Sequence, residues 1–168
     1  GADHILFVHG LFFLGQCVRP LLAQVTAFTV AHSLTLALAS CDVVRLPPTM
    51  VEPLIAASIA FIAVENILSA RCTPWRPAVV FAFGLLHGLG FAGVLQELGI
   101  PNDHFFPALV SFNVGVEFGQ LTVLAAAFVA VGLWHGSKPW YRARVAIPAS
   151  VLIALTGIYW TADRLVSG

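Results

Sequence analysis

Apolar runs long enough to cross a bilayer, separated only by short connections carrying charge or proline, leave this chain few folds to choose from. Six such runs follow one another, roughly residues 2–17, 24–41, 52–70, 77–97, 105–134 and 144–166. A spanning helix needs about 20 predominantly apolar residues. The last four runs meet that length, the second is slightly short, and the first is too short as it stands. The start of helix 1, and any export signal before it, is therefore expected upstream of Gly1. Composition argues the same way. The chain is 59% hydrophobic and 10% charged, with a mean hydropathy of +0.92, whereas soluble domains carry about 25% charged residues. The expected fold is all-α: a polytopic transmembrane bundle of about six helices, one domain over residues 1–168, set in a lipid bilayer.

The placement of charge predicts an orientation. Arg19, Arg71, Arg76, Lys138, Arg142 and Arg144 fall in the odd-numbered turns, against Arg45 and Arg164 on the opposite side. The positive-inside rule puts those turns in the cytoplasm and both chain ends outside. No basic stripe is available for nucleic acid. Cys17, Cys41 and Cys72 form no CxxC pair and point to no function.

An ionisable side chain at bilayer depth costs about 2.5 kcal/mol or more on insertion scales, so each one calls for a reason. Helix 1 opens with Asp3 and His4, and helix 2 carries His32 near its middle. Helix 3 carries Glu65 and Asn66, helix 4 carries His87, and helix 5 carries Asn113, Glu117 and Gln120. Thr29, His32 and Ser33 share one face of helix 2, and Ser58 and Glu65 lie two turns apart on helix 3. Asn113, Glu117 and Gln120 follow a 0, 4, 7 spacing. Gly84 and Gly88 form a GxxxG pair that lets a neighbouring helix approach closely, and His87 sits beside it. Lipid cannot satisfy such polar stripes, so they are expected to face the bundle interior.

His9, His104 and His135 read as packing or surface residues. For Asp3, His4, His32, Glu65, His87 and Glu117 together, packing is a weaker account. Imidazole with carboxylate is the ligand set of Zn, Ni, Co, Fe and Cu sites. A proton relay uses the same residue types and is the competing reading. Asn66 and Gln120 suit orienting roles.

The segments "GADHILF", "TAFTVAHSLTLALA", "VEPLIAASIAFIAVEN", "FAFGLLHGLGFAG" and "FNVGVEFGQ" resemble, in order, the motif series of the HupE/UreJ family, in its second-type branch. These bacterial membrane proteins are described as hydrogenase and urease accessory proteins. The resemblance covers residues 1 to about 120 and implies an inner-membrane protein of about six helices, with members regarded as nickel or cobalt permeases. It places the helix 1 Asp–His motif at Asp3 and His4 and the His–Gly motif at His87 and Gly88. His32, Glu65, Asn113 and Glu117 match positions of the second-type branch. The nickel-carrier pattern FHGxAxGxE is only partly met, because "LLHGLGFAG" lacks the glutamate.

The first functional expectation is a carrier or channel for a divalent transition metal, nickel before cobalt, zinc or copper. Asp3 and His4 would capture the ion, and His32 and His87 would supply nitrogen ligands. Glu117 would balance charge, and Glu65 would act as exit ligand or proton acceptor. Asn113, Gln120, Ser33 and Asn66 would support the ligands by hydrogen bonds. Two alternatives stand beside it: an intramembrane zinc-dependent hydrolase, and a metal-delivery or assembly partner of a larger membrane enzyme. A protein partner or a homo-oligomer is compatible with each.

Overall fold

A computed structural model describes residues 2–14, 18–69, 73–97, 105–133 and 138–167 of the protein. Among them there is no strand. Six helices run in chain order: α1 Ala2–Leu14, α2 Val18–Ser40, α3 Pro48–Leu68, α4 Arg76–Glu97, α5 Phe105–Ala127 and α6 Ile147–Ser167. A π-helical turn, Phe128–Gly132, prolongs α5, and another, Arg142–Ala146, leads into α6. Cys17, Cys72, Asp103, His104 and His135 lie outside the described residues.

α2 and α3 begin six and four residues earlier than hydropathy alone suggests. Pro20 and Pro48 are the reason. Proline in a first helical turn lacks only an N–H that the helix would leave unbonded there, and its fixed φ is already helical. What reads as a break in the apolar run is therefore the first turn of a helix. α2 ends in a left-handed residue, Asp42 at φ 65°. Val43 N–H donates to the Leu38 carbonyl at 2.9 Å and Asp42 N–H to that of Ala39 at 3.1 Å, the Schellman pattern.

Four helical stretches are long and apolar enough to cross a membrane: Arg19–Ser40, Pro48–Leu68, Phe106–Gly132 and Arg142–Ser167. Ala2–Phe13 and Arg76–Phe91 are shorter apolar helices. Large apolar side chains such as Val30, Leu54, Phe61, Phe118, Leu152 and Leu155 face outward, a surface suited to lipid. This is an all-α membrane protein.

Two helix pairs organise the bundle. α2 lies along α4 and α3 along α6, and each contact closes on glycine. A Cβ on Gly84 would stand 2.6 Å from the Phe28 carbonyl, and one on Gly157 2.7 Å from the Ala60 nitrogen. α1 sits between the pairs, with Phe7, Val8, Leu11 and Phe12 buried against Phe28, Ile59 and Ile62. α5 is the least embedded helix, touching mainly α1 and, lightly, α2.

Candidate functional site

His4 in the first turn of α1, His32 two turns before the end of α2, and His87 in α4 meet at one place. The ring centroids of His4 and His32 are 5.0 Å apart and those of His4 and His87 4.8 Å, both edge to face. Phe28 lies 5.4 Å from His4 and 5.1 Å from His87, and Phe91 lies 4.8 Å from His4. His4 is 6% exposed, His32 1% and His87 0%. The close approach of α2 and α4 makes this meeting possible. A Cβ at Gly88 would run into the Thr35 hydroxyl and the His32 carbonyl, so only glycine lets the turn bearing His87 press against the turn bearing His32.

Hydrogen bonding fixes one tautomer. Ser58 Oγ donates to the Ile55 carbonyl at 2.7 Å, and a hydroxyl has a single proton to give. Its 3.1 Å contact with His87 Nε2 is therefore donated by the imidazole, which leaves Nδ1 with a free lone pair. That Nδ1, and both ring nitrogens of His4 and His32, are buried without a hydrogen-bond partner. An unpartnered buried polar group costs about 1–3 kcal/mol, and folded proteins contain few of them. Five on three neighbouring side chains need an explanation.

Among the described residues, no group of three or more His, Cys, Asp or Glu side chains is disposed to hold a metal ion as it stands. The spacing of His4 to His32 and of His4 to His87 is nevertheless that of paired ligands. Two imidazoles bound at about 2.0–2.1 Å to one tetrahedral ion hold their ring centroids roughly 5 Å apart.

Beside the histidines, a cavity of about 230 Å³ is lined by Asp3, His4, Glu52, His87 and Arg164, among others. Arg164 Nη2 donates to Asp3 Oδ1 at 2.9 Å, and Nη1 donates to the Glu52 carbonyl at 3.0 Å. Carboxylate and imidazole thus border one small space near the start of α1 and the end of α6.

A second polar cluster occupies the opposite end of the bundle, around Arg76. This residue is 0% exposed. Its Nη1 donates to Glu65 Oε2 at 2.8 Å, Nη2 to Asn66 Oδ1 at 3.0 Å and Nε to Gln24 Oε1 at 2.9 Å. Asn66 Nδ2 donates in turn to the Gly10 carbonyl at 2.6 Å. Thr73 donates to Glu65 Oε1 at 3.3 Å. Arg142 donates to the Ser69 and Ile67 carbonyls at 2.7 and 3.0 Å, capping the end of α3 where a cation is favoured.

The family profile described as HupE / UreJ protein matches residues 1–164. The chain belongs to the HupE/UreJ family. No curated protein and no solved structure matches it.

In this HupE/UreJ protein the three intramembrane histidines come together, whereas the carboxylates expected beside them do not all follow. Asp3 reaches the adjoining cavity but is paired with Arg164. Glu65 is at the far end with Arg76. Glu117 is exposed, although Asn113 is partly buried and Gln120 buried. Helical geometry explains the difference: at about 100° per residue, Glu117 lies roughly 60° round from Gln120. α5 packs on too narrow a contact to cover all three. Ser33 donates to Asn113 Oδ1 at 2.9 Å and Thr29 to Gln120 Oε1 at 3.2 Å, so these side chains join α2 to α5 rather than to the histidines. Asn66 belongs to the Arg76 cluster. Gly84 and Gly88 lie where α4 meets α2, against Phe28, Ala31, Thr35 and the His32 carbonyl.

Three contributors escaped the sequence reading. Ser58 falls by spacing on the Glu65 face, and nothing in the sequence marks it as the residue that holds His87. Arg76 and Arg164 read only as loop and end cations. The one available signal for Arg76 is its proline neighbour, because Arg76–Pro77 opens a helix and so draws the arginine into the bundle.

Proposed function

We propose that this protein moves or holds a divalent transition metal within the bacterial inner membrane, nickel first among the candidates, with the start of α1 and the end of α6 on the periplasmic side. The observation that carries the reading is the set of five buried, unpartnered imidazole nitrogens on His4, His32 and His87. Membership of the HupE/UreJ family supports a metal-related membrane role.

The ion is the cargo. Asp3 and Glu52, at the adjoining cavity, attract the hydrated cation. Imidazole nitrogens then replace its waters. His87 would bind through Nδ1, since Ser58 occupies Nε2 and holds the ring as an outer hydrogen bond commonly does. In this scheme the rings of His4 and His32 turn about their side-chain bonds to bring nitrogen toward the same point. Mixed nitrogen and oxygen ligation without thiolate suits a site that must also release its ion. Beyond the histidines lie Phe7, Phe28, Ile59 and Ile62, and beyond those the Arg76–Glu65 pair. Passage to the cytoplasm would need that apolar layer to part and Glu65 to exchange its arginine for the ion. Glu117, facing outward, has no part in this scheme.

The test is uptake of radioactive Ni²⁺ into proteoliposomes holding the full chain. Accumulation in the wild type that is lost in His32→Phe and His87→Phe supports a carrier. Tight zinc of fixed stoichiometry with no uptake turns the reading toward the hydrolase. Nickel retained without uptake, with a second membrane protein co-purifying, turns it toward delivery.

A further inference from the structure

α5 stands off from α1 and α4 along part of its length, and the gap is a cavity of about 430 Å³. Small-molecule sites span about 300–1,000 Å³. The walls are apolar, with Val8, Phe91, Phe112 and Val116 among them, and His4 and Gln120 supply the polar side chains. A Cβ built on Gly115 or Gly119 meets nothing within 4 Å, so the space before both glycines is open. Both are also exposed, which puts the mouth of the cavity on the lipid-facing side of α5.

Gln120 makes this more than a packing gap. The residue is 5% exposed, and its Oε1 is taken by Thr29. Its Nε2 is buried with no hydrogen-bond partner. An amide nitrogen is donor only, and a buried donor left unpaired is unfavourable. The missing partner is therefore an acceptor, delivered through an apolar opening from the bilayer. A carbonyl oxygen accepts and cannot donate, and membrane-soluble molecules such as quinones and acyl esters carry one.

We propose that the cavity between α1, α4 and α5 binds one apolar molecule whose carbonyl accepts a hydrogen bond from Gln120 Nε2, its hydrocarbon body lying against Val8, Phe112 and Val116. Two sources share that chemistry, a quinone ring and an acyl ester. Of the three histidines, His4 alone is among the described residues that line this cavity, and the site stands whether or not a metal binds there.

The experiment uses the full chain in nanodiscs of ether-linked phospholipid, which carry no ester carbonyl. They are titrated separately with radiolabelled decyl-benzoquinone and radiolabelled decanoyl monoglyceride. Saturable binding of at least one probe is expected, weakened roughly tenfold by Gln120→Leu, as loss of one hydrogen bond predicts. Gly119→Leu, which grows into open space, should abolish it while leaving the unfolding temperature near wild type; Gly115→Leu serves the same purpose should the first variant fail to fold. Quinone binding alone assigns the site to a quinone, monoglyceride binding alone to an acyl lipid, and binding of both to the shared carbonyl. Absence of saturable binding by either probe overturns the proposal. So does binding that persists undiminished in the glycine variants or in Gln120→Leu.

Discussion

At the Arg76 end of the bundle each nitrogen of a buried guanidinium donates to a side-chain oxygen, and the carboxylate and amides that accept are themselves tied to α1, α2, α3 and the turn at Thr73. At the Asp3 end the buried imidazole of His4 lies against those of His32 and His87, all three lie against phenylalanine, and five of their six nitrogens have no partner. Both clusters are polar groups inside an apolar helix bundle, yet only the first is complete. A saturated network rigidifies what it joins. An unsaturated one costs stability, and a fold keeps it where something outside the chain completes it. The contrast separates structure from function more reliably than residue type does, because Glu65 and His32 look alike in sequence as intramembrane ionisable residues.

Breaking the saturated end should have the largest effect. Arg76→Met leaves the Glu65 carboxylate buried without its partner, and removing one member of a buried pair typically costs about 3–5 kcal/mol. A thermal or denaturant melt in detergent should show a loss of that size, and adding Glu65→Met should recover much of it. Next comes the glycine contact that sets the histidine spacing. Gly88→Ala forces a methyl against Thr35 and the His32 backbone, and overpacking of this kind costs about 1–3 kcal/mol. The same melt reads it, and metal retention should fall with it because α2 and α4 are pushed apart.

The histidine end should respond with the opposite sign. In His32→Phe an imidazole with two unpartnered nitrogens becomes an apolar ring among Phe28 and Phe91. Removing unsatisfied groups is neutral or stabilising, so the melt should hold or rise by up to about 1 kcal/mol while metal retention is lost. A large destabilisation would mean that His32 is structural, which would dissolve the comparison. The smallest effect belongs to Glu117→Gln on the exposed face of α5. Stability should stay within about ±0.5 kcal/mol, and metal content should not change.

Much of this was legible from periodicity. Apolar runs mark the six helices, the Gly84–Gly88 spacing marks a close contact, and one histidine on each of three helices marks a convergence. Helical spacing carries this information because lipid leaves a polar side chain nowhere to go but inward. Legibility stopped where a residue lies at the edge of a face or of a helix. Glu117 falls about 60° from Gln120, and which of them is covered depends on how much of α5 finds a neighbour. Arg76 sits at a helix start, where position alone does not separate a solvated cation from a buried one; its burial follows from Gln24, Glu65 and Asn66 arriving from two other helices. Ser58 as the partner of His87 was equally hidden, since a serine on an apolar helix bonds its own backbone as readily as a neighbour.

Metal content measured by mass spectrometry tests the central claim most directly. Wild type, His4→Phe, His32→Phe and His87→Phe are equilibrated in turn with Ni²⁺, Co²⁺, Zn²⁺ and Cu²⁺ and freed of excess ion. The account predicts stoichiometric retention of at least one of these metals by wild type and its loss in all three variants, each of which still melts cooperatively. No retained metal in wild type, or retention unchanged in the variants, would contradict it and leave the five bare nitrogens to a proton relay or to packing.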